Sequence, residues 1–287
     1  MAKPEKIDRY SYLVLGAGTQ GVAAAYDAVL FGDAEHITLA DADRRLVSAG
    51  ISRIKKLCAK QLSQRPIQIA AATLNAKEHS ALCKLMDGHD AMLSAIPYYL
   101  NPAVAEAAVA CKVNYCDLGG YFESTRRIMR LGAKAKKAGI TLVSDCGVAP
   151  GMCNSLALAG IEKLDRTDHV RIYCGGLPQK PRPPLYYKRV FSLAGMLGNY
   201  FGKAYELHNG KIRLVQSFSE FEVLSMGKPL GKLEAIVTGG ATSTCPLIAV
   251  RGVRSSCDVT AIKSVFRRSI SLVKSRLRLQ VNTSMAQ

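Results

Sequence analysis

No stretch of the 287-residue sequence stays apolar for the length a bilayer span needs, so no membrane-spanning segment is expected. Met1 to Arg9 is charged and lacks the apolar core of a secretion signal. Nine cysteines are present, but they are odd in number, scattered and include no CxxC pair. That pattern excludes a disulfide framework and a zinc site and implies reduced thiols in the cytoplasm. The five histidines show no metal-ligand spacing, so no metal is expected. There is no Walker motif, no internal repeat and no low-complexity linker, and no Ser/His/Asp or Cys/His catalytic set can be read from spacing. Acidic residues are the scarce charge, 22 against 39 Lys and Arg, for a net charge of +17. Residues 251–287 alone hold six Arg and two Lys against Asp258. The rest of the excess lies on runs such as Arg53 to Lys60 and Lys134 to Lys137, with no aromatic residue between the cations to stack a base. Solvated helix faces account for these runs, so no specific nucleic-acid partner is expected.

What is present begins at Tyr12-Leu13-Val14-Leu15-Gly16-Ala17-Gly18-Thr19-Gln20-Gly21. A short apolar run stopped by a glycine reads as a buried parallel strand. Gly16, Gly18 and Gly21 then give the GxGxxG spacing. The first glycine makes a tight turn, the second admits a pyrophosphate, and the third lets the following helix pack close. Residues Gly21 to Phe31 contain no helix breaker, and the helix N-terminus, with Thr19 and Gln20, would offer free N–H groups to the phosphates. Twenty positions beyond Gly21, a second apolar run, His36 to Ala40, ends in Asp41. A carboxylate there would bond the ribose hydroxyls of NAD and repel a 2′-phosphate. A glycine turn without a ligand is the plainer reading, and this context weighs against it.

Further along, Asp43 to Leu62 has helical spacing and Pro66 to Ala70 suits a third strand. Ala76 to Met86 reads as helix and Asp90 to Pro97 as a fourth strand. Asn101 is placed to cap a helix with Pro102 at its first position. Tyr115 to Leu118 reads as strand, Glu123 to Ala138 as one helix, and Ile140 to Ser144 as a sixth strand. Strand and helix alternating in this way signify an α/β doubly wound parallel sheet. The pattern changes at Asp145 to Met152. Beyond it the sequence suggests a helix (Asn154 to Lys163), a strand (His169 to Cys174) and a hairpin (Tyr205 to Val215) turning at Asn209-Gly210. A mixed α+β second domain is expected.

Ligands of open parallel sheets lie at the carboxyl ends of the strands. Ala95 and Pro97, at the end of the fourth strand, would leave room beneath a flat nicotinamide ring. Asp117, followed by Gly119-Gly120, is the candidate catalytic carboxylate; a helix cap or turn residue is its plainer reading, and Asp145 reads as structural. Tyr99 joins the candidates for contact with substrate. The loop with Lys180, Arg182, Tyr187, Lys188 and Arg189 holds no acid and suits recognition of a carboxylate. Thr238-Gly239-Gly240-Ala241-Thr242-Ser243-Thr244 could form an anion nest, with Thr242 and Ser243 as donors. A solvated basic loop and an ordinary turn explain these two segments almost as well. A nucleotide domain followed by a substrate domain fits hydride transfer.

Taken together, several stretches resemble the saccharopine dehydrogenase-like family, most closely its lysine 6-dehydrogenase branch. They are Gly16 to Gly21, Thr38 to Asp43, Asp117 to Gly120, Gly147 to Met152, Cys174 to Pro178, Val190 to Leu193 and Gly239 to Thr244. The resemblance implies a Rossmann NAD-binding domain over residues 1–146 and a partial catalytic domain over 147–250. It implies oxidative deamination of the L-lysine side-chain amine to a semialdehyde, with a small amino acid as substrate; a homo-oligomer is compatible with it. The alternatives are a saccharopine-type reductase, usually served by NADP, and an inactive NAD-binding protein. Asp41 favours NAD. Leu193-Ala194-Gly195 lacks the arginine expected in saccharopine reductases. After about Ile248 the sequence departs from the family, and residues 251–287 read as a basic, atypical tail, from a truncated or out-of-frame ending. A basic helix around Val265 to Leu279 is the alternative. With such a tail the second domain is expected to be incomplete.

Overall fold

The computed structural model describes residues 9–176, 178–180, 182, 201–209 and 211–239, together with the backbone of 258–259 and 263–266. The chain divides into two compact units. The first comprises the residues up to Gly119 and Glu123–Gly147; the second comprises Gly120–Phe122 and everything from Val148 onward.

The first unit runs β1 (Tyr10–Leu15), α1 (Thr19–Phe31), β2 (Ala34–Asp41), α2 (Arg44–Leu57), α3 (Ala59–Gln64), β3 (Gln68–Thr73) and α4 (His79–Met86). It continues with β4 (Ala91–Ser94), a 3-10 turn (Tyr98–Leu100), α5 (Asn101–Cys111), β5 (Asn114–Asp117), α6 (Phe122–Met129), α7 (Gly132–Ala138) and β6 (Leu142–Val143). The six strands are parallel, in the order β3-β2-β1-β4-β5-β6. The apolar run of β1 is explained by two covered faces. Leu13 and Leu15 point into a core with Leu82, Met86, Val104, Ala108 and Tyr115. Val14, between them in the pleat, points into the other core with Val22, Ala25, Val29, Ile37, Leu39 and Ile54. Each such fully buried aliphatic side chain contributes about 1.5–3 kcal/mol relative to exposure.

Several boundaries differ from the sequence reading. The helix expected over Asp43 to Leu62 breaks at Cys58, which adopts φ −103 and ψ 15 and is fully buried. Asp43 caps α2, accepting from the Arg45 amide at 2.8 Å. The helix expected over Glu123 to Ala138 is two helices, divided after Met129. Asn101 does not cap α5. It stands inside the helix, which follows directly on the 3-10 turn, and its Oδ1 accepts from the Ser94 hydroxyl at 2.8 Å.

At the end of the sheet where β1 and β2 begin, His36 and His89 stack with ring centroids 5.4 Å apart. Thr38 Oγ1 lies 2.8 Å from His89 Nε2, and Ser11 Oγ lies 3.0 Å from His36 Nδ1. Burial, then the neighbouring His36, lowers the His89 pKa from its ordinary value, with the carbonyls of Met86, Asp87 and Leu85 opposing. A depressed pKa means that the unfolded chain takes up the proton first as pH falls. Stability should therefore be full above the ordinary histidine range and decline as pH drops through it toward the lower folded-state value. Thermal melts at pH 7.5 and 5.5 should show a larger fall for the unaltered protein than for His89→Gln. Equal falls would remove His89 as the cause.

The second unit contains α8 (Met152–Ile161), β7 (His169–Val170), β8 (Tyr173–Cys174), β9 (Lys203–His208), β10 (Lys211–Gln216), β11 (Glu222–Ser225), β12 (Lys232–Val237), β13 (Asp258–Val259) and β14 (Lys263–Phe266). Two mixed sheets form, ordered β10-β9-β13-β7 and β11-β12-β14-β8. The single strand expected over His169 to Cys174 is thus two, because β7 and β8 belong to different sheets and Arg171-Ile172 crosses between them. Ile172, at the crossing, is buried with Val170 and Leu207 against α8 residues Ala157 and Ile161. The hairpin closes with His208 opposite Lys211, leaving a two-residue loop that starts at Asn209 with φ 48. A positive φ there is what a type I′ turn requires. Val265 and Phe266, where a helical tail was the alternative, are strand residues paired with β12.

Candidate nucleotide-binding site

Strand order reverses between β1 and β4, since β2 lies on one side of β1 and β4 on the other. The carboxyl ends of these strands form the crevice where open α/β sheets take ligands. Gly16 leaves β1 with φ +107, its amide bonded to the Ala40 carbonyl at 2.7 Å. The next strand end is tied in by the Ala95 amide on the Leu15 carbonyl at 2.7 Å. A Cβ on Gly16 would come within 2.6 Å of the Ala95 carbonyl oxygen, and one on Gly21 would run into the Gly16 carbonyl. Only hydrogen fits at either position.

Gly18 differs. It takes an ordinary extended φ of −72, and a Cβ there would meet nothing within 4 Å. The open space lies at the N-terminus of α1, whose first residues Thr19 and Gln20 are exposed. An α-helix leaves its first N–H groups without intrahelical acceptors, and its dipole favours an anion there. Backbone with room beside it at a helix N-terminus matches the needs of a pyrophosphate.

Asp41 ends β2 beside this turn. Its Oδ2 accepts from the Ala17 amide at 2.8 Å and its Oδ1 from the Asp43 amide at 2.9 Å. The two bonds fix the carboxylate at the glycine turn, and a carboxylate oxygen retains acceptor capacity for a further donor. Next along, Asp43 pairs with Arg45 at 2.9 Å, and these bonds hold the Asp43 carboxyl below its usual range. Residues Gly16, Gly18, Thr19, Gln20, Gly21, Asp41 and Ala95 therefore gather at one edge of the sheet, and Pro97 lies two residues past Ala95. The fit to a dinucleotide is good: a cradle that a Cβ on Gly18 would fill, and an anchored acceptor for hydroxyls.

Asp117 ends β5 at the same edge but is turned inward, 1% exposed. Oδ1 accepts from the amides of Gly119 (2.7 Å) and Asp145 (3.2 Å), and Oδ2 from the Tyr115 hydroxyl at 3.0 Å. Tyr115 is two residues earlier on the strand and so on the same face. Burial, then the Asp117 carboxylate, pushes the Tyr115 hydroxyl well above its usual pKa, so it remains a donor. Asp145, at φ 62, accepts in turn from the Thr125 hydroxyl at 3.0 Å, and a Cβ on Gly119 would strike it. The sequence reading took Asp145 as structural and a turn as the plainer role of Asp117, but missed their partners Tyr115 and Thr125 and the burial of the cluster. Its signal was the Asp-x-Gly spacing of an Asx-turn, with an aromatic hydroxyl at i−2.

Among the other candidates, Tyr99 is exposed, its ring edge-on to Tyr98 at 5.8 Å. Arg182 is also exposed. Tyr187, Thr242 and Ser243 lie outside the described residues. Thr238 is buried, and a Cβ on Gly239 would approach Ser217 Oγ to 2.5 Å. Among the described residues, no group of three or more His, Cys, Asp or Glu side chains is placed to hold a metal, and no helix is long and apolar enough to cross a membrane.

Residues 12–143 match the saccharopine dehydrogenase NADP binding domain, and residues 147–251 match the saccharopine dehydrogenase C-terminal domain. The mitochondrial alpha-aminoadipic semialdehyde synthase of Bos taurus is 34% identical over 142 residues, which cover 47% of this chain and 15% of that protein. Saccharopine dehydrogenase [NADP(+), L-glutamate-forming] of Saccharomyces cerevisiae is 30% identical over 169 residues, 57% of this chain and 37% of that one. The matches thus span well under half the length of these relatives. The apo structure of the L-Glu-forming saccharopine dehydrogenase from Saccharomyces cerevisiae shares the fold, with a TM-score of 0.65 at 20% identity over 91% of this chain and 56% of that one. The alternating sheet, the glycine turn and both matched domains agree, and the chain belongs to the saccharopine dehydrogenase family.

Proposed function

We propose that the protein is a pyridine-nucleotide-dependent oxidoreductase acting on the C–N bond of an amino acid of lysine metabolism, with NAD as its preferred nucleotide. The observation that carries the nucleotide choice is Asp41, held by the amides of Ala17 and Asp43 at the end of β2. A fixed negative charge there favours ribose hydroxyls as donors and disfavours a 2′-phosphate. The nucleotide supplies the hydride acceptor. The chain's part is to bind the pyrophosphate at Gly16 to Gly21, seat the nicotinamide beside Ala95 and Pro97, and orient the substrate. For an amine substrate, loss of hydride from carbon and a proton from nitrogen gives an imine, which water converts to the carbonyl product and ammonia. The L-lysine side-chain amine is the substrate we favour. We assign Asp117 to holding the strand-end turn, since its two oxygens already serve three donors inside the domain. Tyr99, Arg182, Tyr187, Thr242 and Ser243 are retained as candidate substrate contacts. Arg182→Ala would raise the Michaelis constant with little change in turnover.

Saccharopine-type chemistry with NADP is the second reading, favoured by the NADP named for the matched domain and for the Saccharomyces relative. Titration of the full chain with NADH and NADPH separates the two. NADH should bind at least about tenfold more tightly, a difference of about 1.4 kcal/mol. Asp41→Ser should weaken NADH binding and narrow that gap. Tighter binding of NADPH by the unaltered protein would overturn the NAD assignment. Turnover with saccharopine but not lysine would overturn the substrate.

A further inference from the structure

Helices α4 and α5 cover the same face of the sheet, and each contributes a cysteine to the space where they meet. Cys83 lies midway along α4, and Cys111 is the last residue of α5. Both are free thiols and both are partly accessible. Cys111 Sγ lies 3.9 Å from the backbone carbonyl oxygen of Cys83. His79, one turn earlier on α4, is exposed and places Nδ1 3.7 Å from Cys83 Sγ. The i, i+4 spacing of His79 and Cys83 puts both side chains on one face of the helix. Nothing in the nucleotide site uses these three residues. They lie on helices at the sheet's flank, and the expectation of reduced thiols does not by itself explain an imidazole beside one of a pair.

We propose that Cys83 and Cys111 form a thiol pair that reacts with a low-molecular-weight disulfide, and that the product is a reversible Cys83–Cys111 disulfide linking α4 to α5. The asymmetry of the two thiols sets the order of steps. Cys111 holds its proton more firmly than a free thiol does: its pKa is pushed up to about 11, first by burial, then by the Cys83 thiol and Asp87. Cys83 has the imidazole. His79 takes the Cys83 proton, and the thiolate attacks one sulfur of the small disulfide. The S–S bond of the reagent breaks, a Cys83–S–S–R bond forms, and one RS⁻ leaves to collect a proton. Capping Cys83 removes the neighbouring thiol that helped to keep Cys111 protonated. Cys111, losing its proton to solvent, then attacks the Cys83 sulfur, and the second RS⁻ departs. Two thiols have been oxidised and one reagent disulfide reduced to two thiols. The reverse exchange, driven by excess RSH, restores the pair.

The consequence is mechanical. Closing the chain between Cys83 and Cys111 removes conformational freedom from the unfolded state and fixes α4 against α5, the helices that follow β3 and β4. The melting temperature of the linked form should rise by about 5–10 °C.

The test uses the full chain with oxidised glutathione as the probe. Peptide mapping without reductant should recover a Cys83–Cys111 linkage, reversed by reduced glutathione. In Cys111→Ser, glutathione should remain on Cys83. In His79→Ala, linkage should form roughly tenfold more slowly, as expected when the proton acceptor beside the attacking thiol is removed. Cys146, the exposed thiol among the described residues, serves as the internal control that the reagent reacts with this protein. Glutathione on Cys146 with no Cys83–Cys111 linkage would overturn the proposal, as would equal rates in His79→Ala and the unaltered chain. Mapping of the unaltered chain decides the matter even where a variant fails to fold. Because no nucleotide or substrate enters the assay, the result stands apart from the reading of the nucleotide site.

Discussion

Gly18→Ala is expected to abolish measurable NADH binding while leaving the melting temperature within a degree or two, whereas Gly16→Ala should lose both. The two glycines lie two residues apart and differ in what surrounds them. Gly16 sits at φ +107, where an L-residue costs on the order of 1–2 kcal/mol, and its added methyl would press on the Ala95 carbonyl at 2.6 Å. That oxygen is backbone, on a residue whose amide is bonded to the Leu15 carbonyl, so overpacking adds about 1–3 kcal/mol. Gly18 meets neither obstacle: its φ is −72, and no atom lies within 4 Å of the added methyl. The only thing such a methyl displaces is what enters the space from outside. If that space receives the pyrophosphate, the methyl forces it off the N–H groups of α1, and the dissociation constant should rise at least about a hundredfold, or 2.7 kcal/mol. Isothermal titration with NADH and a thermal melt of each variant suffice. Unchanged NADH affinity in Gly18→Ala would place the nucleotide elsewhere.

The contrast between these glycines shows how far the residues themselves speak. The buried strand, the glycine turn and the terminal acid were legible because each is set by local chemistry: an apolar run covered on both faces, a backbone angle only glycine adopts freely, a charge at a strand end. The hairpin at Asn209 was legible for the same reason. Breaks that depend on distant partners were not. The crossing at Arg171-Ile172 exists because β7 pairs with β13 and β8 with β14, strands that lie some ninety residues further along the chain. The helix break at Cys58 carries no glycine or proline and is set by that residue's burial against the sheet. The pairing of His36 with His89 joins residues on β2 and in the turn before β4, so no periodicity reveals it.

Asp117→Ala should destabilise the first unit by about 3–5 kcal/mol, a large part of the 5–15 kcal/mol typical of a domain. Three donors now meet on this buried carboxylate: the Tyr115 hydroxyl and the amides of Gly119 and Asp145. Alanine removes the acceptor and leaves them in a largely buried site, and each such loss costs about 1–3 kcal/mol. Tyr115 has a second acceptor in the Asn101 carbonyl at 3.5 Å, so the two amides bear most of the penalty. Asp117→Asn should cost less, about 1–2 kcal/mol, because an amide oxygen can still accept from Gly119 and Asp145. The order of the two variants carries the argument. If Asp117 holds the turn, melting temperature falls in the order unaltered, Asn, Ala, and NADH binding weakens in the same order because Gly119 and the end of β5 shift with it. If Asp117 instead moves a proton in the reaction, Asp117→Asn would keep its melting temperature and its NADH affinity and lose turnover alone. That last pattern would return Asp117 to the catalytic role its place at the strand end first suggested.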